Sequence, residues 1–160
     1  MGDEGIGVHV VRCLQTKRLP DTVTCLDGGT GGLHLLGPVQ QAERVILLDA
    51  TIDGAPAGTV RRLCPRFSSD YPQTLSAHDI GLKDLLDALY LLGQPANITL
   101  FAISIDAIQQ LGLEISTDLQ ARIPAVTRMI MDEIASRAPD VRKINQPCDG
   151  PGIPTSTDLF

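Results

Sequence analysis

At 160 residues and 17.1 kDa the chain has the size of one domain with a single continuous core. Its net charge of −6, its pI of about 4.9 and the lack of a lysine or arginine stripe argue against nucleic acid and anionic membranes as partners. The longest apolar runs are too short to span a bilayer, and no basic-then-apolar leader opens the sequence.

The first predicted element is a helix over residues 5–19, with Asp3 as its N-cap and Pro20 as its stop. The alternating segment TVTCLD (22–27) predicts a short strand that leads into the loop DGGTGG. The segment GLHLLG then predicts a short helix that ends before Pro38. The prediction of the helix over 5–19 depends on the helical spacing of Ile6, Val10, Cys13 and Leu14.

Two strands follow. RVILLDA (44–50) is a continuous apolar run, which is typical of a strand buried on both faces. TVRRLC (59–64) has a weaker strand pattern and contains arginines, which is typical of a strand at the edge of a sheet. After a loop over 65–75, Ser76 and Asp79 form a capping box that predicts the start of another helix.

That helix is expected to bury its leucines and to close at Gly93. NITLFAISI (97–105) predicts a further buried strand. A long amphipathic helix is expected over 116–138, starting near Pro124 or bending there. The proline-rich tail, 139–160, is expected to be loose. The leucines of the helix that follows the capping box are Leu82, Leu85, Leu86 and Leu89.

Strands that alternate with helices predict an α/β fold with a three-layer, doubly wound, mostly parallel sheet, in one domain over 1–138. Ligands of such sheets gather beyond the carboxyl ends of the strands. That rule selects Asp27–Thr30 after one predicted strand and Asp49 at the end of another.

The four cysteines, Cys13, Cys25, Cys64 and Cys148, form no CxxC pair and match no zinc framework. We therefore expect reduced thiols in a cytoplasmic protein.

Three residues are candidates for a metal site. Glu4 falls in the first turn of the first helix, where the helix dipole keeps a carboxylate ionised; the alternative is a helix-start acid with no further role. Asp49 ends an apolar strand, and its alternative is an acid that caps the next turn. His78 falls at a helix start, which favours the neutral imidazole that a metal requires; the alternative is a surface histidine.

If folding brings them together, two carboxylates and one imidazole form an open site that suits zinc, nickel or similar ions. No local pattern joins the three residues, because they are far apart in the sequence. His9 and His34 lie in apolar helical segments, and both are expected to be packing residues.

Four blocks, GDEGIGVHVV, DGGTGGLHLL, VILLDA and SAHDIGLKDLLDAL, resemble the [NiFe]-hydrogenase maturation proteases in order and spacing, from Gly2 to about Ala138. These endopeptidases remove a C-terminal extension from the hydrogenase large subunit. The resemblance implies that Glu4, Asp49 and His78 bind the metal and act in catalysis. It also implies that the block Asp27, Gly28, Gly29 and Thr30 recognises the substrate; the alternative is a plain turn with Thr30 as N-cap.

By the same resemblance the partner is the precursor of the large subunit, and the nickel is supplied by that substrate, with zinc or cadmium able to occupy the site in vitro. No G-x-S-x-G occurs, and no serine or cysteine nucleophile with a base is found. The alternative function is a non-catalytic, nickel-checking or chaperone-like module that binds the large subunit. A third is a different hydrolase on the same architecture.

The chain departs from the family pattern at two places. A buried strand and a Gly-Asn-x-Leu stretch usually precede the Asp-Glu-Gly block, whereas Met1 alone stands there in this sequence. We therefore expect Met1 to be an internal methionine of a longer natural chain, or the domain to be weakened. The stretch FAISIDAIQQLG also lacks a proline that usually follows the corresponding strand.

Overall fold

The computed structural model describes residues 2–29, 32–65, 79–93, 97–106 and 114–136. The predicted capping residue Ser76, Cys148 and the tail 139–160 lie outside the described residues.

The described residues form two 3-10 helices, four α-helices and three strands. The 3-10 helices are η1 (Gly2–Gly5) and η2 (Leu33–Leu35). The α-helices are α1 (Ile6–Gln15), α2 (Leu36–Gln41), α3 (Asp79–Leu91) and α4 (Thr117–Ala135). The strands are β1 (Arg44–Thr51), β2 (Val60–Leu63) and β3 (Asn97–Ser104).

The strands form one sheet in the order β1-β3-β2. β1 lies parallel to β3, from the pair Arg44–Asn97 to the pair Thr51–Ser104. β2 is antiparallel to β3 and forms an edge of the sheet that the described residues build, as its arginines predicted. The α/β class is confirmed, but the described sheet is small and mixed rather than mostly parallel.

Helices cover both faces of this sheet, because alternate side chains of each strand point to opposite faces. On one face α1 and α4 pack against Phe101 and Ile103 of β3. On the other face α2 and α3 pack against Ile98 and Leu100. The fully buried residues of α1, α3 and α4 are those that helical spacing predicted, and they include Ile6, Val10, Leu85, Leu89, Leu119 and Ile130.

The strongest local patterns are confirmed. Every residue of β3 after Asn97 is buried, in agreement with its continuous apolar run. Gly93 closes α3 with a positive φ of 65°, and its amide donates to the carbonyl of Tyr90 at 3.0 Å.

The predicted helix over 5–19 is wrong at both ends. The α-helix starts at Ile6 after η1 and ends at Gln15, where the hydroxyl of Thr16 donates back to the carbonyl of Cys13 at 2.7 Å. Asp3 is not its N-cap, since Gly5 holds that position. The carboxylate of Asp3 instead accepts from the amide of Ser116, 113 residues later, at 2.6 Å.

The predicted strand over 22–27 is not a strand in the structure. Val23 and Cys25 are half-buried between exposed neighbours, so the alternation that suggested a strand is real. A strand also needs a hydrogen-bonded neighbour, and the described residues provide none for this segment.

Pro38 does not act as predicted, and Pro124 does not mark the start of its helix. α2 continues through Pro38 to Gln41, because Pro38 lies in its first turn, where an amide needs no intrahelical acceptor. α4 starts at Thr117, well before Pro124, and continues through it. Burial of Leu119 and Val126 on either side of Pro124 holds the helix across the lost hydrogen bond.

β1 and His34 are less buried than predicted. All β1 residues before Thr51 are half-buried, although helices cover both faces of the sheet. His34 is exposed, because the short helix η2 presents it to solvent, whereas His9 is half-buried.

Candidate active site

The candidate site lies around Asp49 in the carboxyl-terminal half of β1. Asp49 pairs with Ala102 of β3 and precedes the end of β1, so it lies within the strand rather than after it. Its side chain is half-buried, and its Oδ1 accepts the amide of Ala50 at 2.9 Å.

Asp49 is on the face of the sheet that carries α2 and α3. Val45 and Leu47 pack in the core on that face, and side chains two residues apart share a face. The carboxylate of Asp49 therefore follows the apolar side chains of Val45 and Leu47 on the same face, towards the carboxyl end of β1.

α3 packs on this same face of the sheet. Only five residues separate Leu91, at the end of α3, from the start of β3 at Asn97, so we expect the end of α3 to lie towards the amino end of the sheet. Its 13 residues extend about 20 Å. Since α3 packs on the sheet, we expect its start at Asp79 to lie towards the carboxyl end. His78, the preceding residue, lies outside the described residues.

Glu4 belongs to η1, a segment that contacts β1. It lies half-buried in η1, and η1 and the start of α1 both contact β1. The backbone of Gly7 lies against the carbonyl of Leu48, the residue before Asp49. Asp3 fixes the same segment to the start of α4 through its bond to Ser116.

The structure thus brings the segments of Glu4 and Asp49 into contact, as the sequence hypothesis requires. Among the residues that the structure describes, no three histidine, cysteine or acidic side chains converge on a geometry that could hold a metal. The three-residue site with His78 therefore stays a prediction.

The loop that starts at Asp27 is a tight turn. The Oδ1 of Asp27 accepts the amide of Gly29 at 3.0 Å, and Gly29 adopts a positive φ of 56°. Asp27 is exposed, and Gly28 lies beside the side chain of Leu35. Thr30 lies outside the described residues.

Exposed leucines flank this turn, which the sequence pattern did not indicate. Leu26 is 51% exposed and Leu33 is 57% exposed, so exposed leucines precede and follow the acidic turn along the chain. Leu26 belongs to a segment whose pattern predicts a strand, and Leu33 belongs to one whose pattern predicts an apolar helix. Only their exposure in the structure distinguishes these two leucines from core residues.

A second carboxylate near the end of β1 was also missed. Asp53 pairs with Arg61 at 2.6 Å and accepts the amide of Ala55 at 3.0 Å, with its side chain only 8% exposed. Burial acts to raise the pKa of Asp53, but the amide of Ala55 and the positive charge of Arg61 outweigh it and hold that pKa below its ordinary value. The sequence Asp53-Gly54, an acid followed by a glycine, is the one local feature that could have indicated this carboxylate.

Comparison with known proteins decides the family. The model of the hydrogenase maturation protease family matches residues 8–133. The chain belongs to that family. The match includes Asp27, Asp49 and His78, and it begins after Glu4.

Individual relatives agree with this membership. Hydrogenase expression/formation protein HoxM of Azotobacter vinelandii is 30% identical, over 84% of this chain and 67% of the relative. Hydrogenase 2 maturation protease of Escherichia coli is 33% identical, over 67% of this chain and 68% of the relative.

Solved structures share the fold. The hydrogenase maturating endopeptidase HybD from E. coli superposes with a TM-score of 0.75 at 29% identity, over 84% of this chain and 85% of that one. The [NiFe] hydrogenase maturation protease HybD from Thermococcus kodakarensis has a TM-score of 0.65 at 24% identity, over 84% and 91%, and shows the fold alone.

Family membership supports a role in hydrogenase maturation and peptidase activity. Within the described ranges, no helix has the length and apolar content needed to cross a bilayer.

Proposed function

We propose that this family member is the cytoplasmic endopeptidase that removes the C-terminal extension of a [NiFe]-hydrogenase large subunit after nickel insertion. The observation that supports it is the contact between η1, which carries Glu4, and β1, which carries Asp49. Two acids distant in sequence thus belong to touching segments at the end of the sheet where ligands of α/β folds bind.

His78 is the proposed third member of this site. It directly precedes α3, which packs on the same face of the sheet as Asp49 and whose start we expect towards the carboxyl end of the sheet. Two carboxylates and one imidazole are a donor set that suits nickel, and zinc or cadmium would occupy the same set in vitro.

In this proposal the nickel arrives within the substrate. Glu4, Asp49 and His78 engage the nickel of the large subunit, and so place the peptide bond to be cut against the site. The bound ion polarises the scissile carbonyl or an attacking water. Either carboxylate could act as the base that takes the proton from that water.

The turn at Asp27–Thr30 is the proposed substrate-recognition element. Its glycines have no side chain, so an extended substrate chain can pass close to their backbone. The exposed carboxylate of Asp27 can pair with a basic residue of the substrate, and Leu26 and Leu33 add apolar contact on either side.

The test is incubation with the nickel-loaded large-subunit precursor, followed by mass spectrometry of both proteins. We expect a shortened substrate from the unmodified chain. The variants Asp49→Asn, Glu4→Gln and His78→Ala should each lower the processing rate by about 10²-fold or more. Asp84→Asn, an exposed acid of α3, is the matched control and should process normally.

Three results would contradict the proposal. Full processing by Asp49→Asn or His78→Ala would remove that residue from the site. Formation of a complex without cleavage by the unmodified chain would favour the non-catalytic module. Absence of both complex and cleavage would favour a hydrolase with another substrate. The thermal unfolding midpoints of all variants show whether a loss of processing comes from damage to the site or from loss of the fold.

A further inference from the structure

The face of the sheet that carries α2 and α3 changes from apolar to polar towards the carboxyl ends of β1 and β3. One leucine from each strand forms a row in the core of this face: Leu47, Leu100 and Leu63. Residues two positions apart in a strand share a face. The next row therefore contains Asp49 of β1, Ala102 of β3 and Arg61 of β2. An acid and a guanidinium thus follow the leucines of β1 and β2.

The register of the sheet sets the distance between Asp49 and Arg61. Both residues pair with Ala102, from opposite sides of β3. Neighbouring strands lie about 4.8 Å apart, so the Cα atoms of Asp49 and Arg61 are separated by about 10 Å. Ala102 carries only a methyl group, so the row has no large side chain between them. Arg61 therefore belongs to the surroundings of the candidate site.

Asp53 holds Arg61 at this end of the sheet. The two side chains form an ion pair at 2.6 Å. Asp53 follows the end of β1 and Arg61 belongs to β2, so the pair crosses the end of β3, which lies between these strands. Asp53 is itself fixed, since its side chain is only 8% exposed and accepts the amide of Ala55 at 3.0 Å.

The Arg61 guanidinium can bind a ligand in addition to Asp53. A guanidinium has five N–H groups, and Asp53 is the only ion-pair partner of Arg61 within the described ranges. The Arg61 side chain is 42% exposed, so a ligand can reach it. The adjacent Arg62 points to the opposite face, where it donates to both carboxylate oxygens of Glu133 at 2.8 and 2.9 Å. Of these two arginines, Arg61 is the one on the face of the candidate site.

We infer that Arg61 is a substrate-binding residue that donates hydrogen bonds to the carbonyl oxygen of the peptide bond to be cut and, after cleavage, to the new carboxylate. This inference rests on the proposed function, in which Glu4 and Asp49 engage a cation carried by the substrate. Arg61 provides the opposite charge on the same face of the sheet as Asp49.

Peptide hydrolysis produces an anion that suits Arg61. The oxygen of a water joins the carbonyl carbon, and the bond from that carbon to nitrogen breaks. The carbonyl oxygen carries negative charge in the tetrahedral intermediate and remains in the carboxylate of the product, while both protons of the water pass to the leaving amine. A guanidinium that Asp53 already holds in place binds this charge more strongly than the uncharged carbonyl of the substrate.

The first test compares the processing of the nickel-loaded precursor by Arg61→Ala, Arg61→Lys and Arg62→Ala. We expect Arg61→Ala to lower kcat about 10²-fold at saturating precursor, with a thermal midpoint close to that of the unmodified chain. Arg61→Lys should recover part of the rate, because it keeps the charge but not the planar fork. Arg62→Ala is the matched control, since it removes the same charge from the other face and should keep the rate.

The second test measures binding without cleavage. Two peptides reproduce the processed end of the large subunit, one with a free C-terminal carboxylate and one with a C-terminal amide, and calorimetry without metal gives their affinities. The unmodified chain should bind the carboxylate about tenfold more tightly. This preference should disappear in Arg61→Ala and remain in Arg62→Ala.

Full processing by Arg61→Ala would overturn the inference. The same holds if Arg61→Ala keeps the preference for the carboxylate, or if the unmodified chain binds the two peptides equally or binds neither. Failure of the unmodified chain to shorten the precursor would instead contradict the proposed function. The preference for the carboxylate does not depend on cleavage, so the two proposals fail separately.

Discussion

Gly7 lies so close to Leu48 that a Cβ atom at residue 7 would come within 2.8 Å of the Leu48 carbonyl oxygen. The contact joins the start of α1 to β1 directly before Asp49. It explains a glycine in a helix, where glycine ordinarily costs about 0.5–1 kcal/mol relative to alanine.

Gly7→Ala should therefore destabilise the protein by about 1–3 kcal/mol, because either the helix or the strand must move. Urea unfolding measures the loss. Gly37→Ala is the control, since a Cβ there meets nothing within 4 Å and α2 should gain stability. A Gly7→Ala protein as stable as the unmodified chain would refute the close contact.

Asp3→Ala should cost about 1–3 kcal/mol, because it leaves the amide of half-buried Ser116 without its acceptor at the start of α4. Asp3→Asn retains a side-chain oxygen and should cost less. Thermal or urea unfolding measures both, with the exposed Asp21→Ala as the control. If Asp3→Ala and Asp21→Ala have the same effect, the bond to Ser116 does not hold α4.

Glu133 should make the protein sensitive to acid. Its hydrogen bond from Arg62, together with the charges of Arg62 and Arg44, outweighs burial and holds the pKa of Glu133 below its ordinary value of 4.5. A lowered folded pKa means that the stabilisation is complete above 4.5 and disappears as the pH falls through the folded pKa.

Glu133→Gln should thus lower stability by about 1–2 kcal/mol at pH 7, since solvent screens the partly exposed Arg62. The difference from the unmodified chain should shrink as the pH falls below 4.5. Unfolding midpoints between pH 3 and 7, buffered at about 0.1 M ionic strength, measure this difference. The exposed neighbour Asp132→Asn serves as control, and a difference independent of pH would contradict the ion pair.

The two partners of the Asp53–Arg61 ion pair should respond unequally. Arg61 is 42% exposed, so Arg61→Ala should cost only about 0–1 kcal/mol. Asp53→Ala should cost about 1–3 kcal/mol, because it also leaves the amide of Ala55 unpaired. Equal losses in urea unfolding would show that the ion pair, not the turn, provides the stability.

Local patterns predicted most of the elements, because each one needs only its own residues. α3, its stop at Gly93 and the buried strand β3 follow from apolar spacing and one glycine. The strand over 22–27 failed because strand formation depends on a neighbour. Pro124 failed as a boundary because packing of α4 on both sides outweighs one lost hydrogen bond.

The candidate site divides in the same way. The residue types of Glu4 and Asp49 indicated metal chemistry, and the structure places their segments in contact. The site with His78 stays a prediction, since that residue lies outside the described residues. No local pattern marked the acceptor of Asp3 or the ion pairs of Asp53 and Glu133, because their partners come from other segments.

The sequence by itself determined the α/β class, the family and the apolar residues of each helix, because spacing and residue type are local properties. Only the tertiary structure decided that β3 lies between β1 and β2, why Gly7 must be small and where Asp3 finds its partner. Each of these depends on atoms that are far apart along the chain and come together only when the helices pack on the sheet.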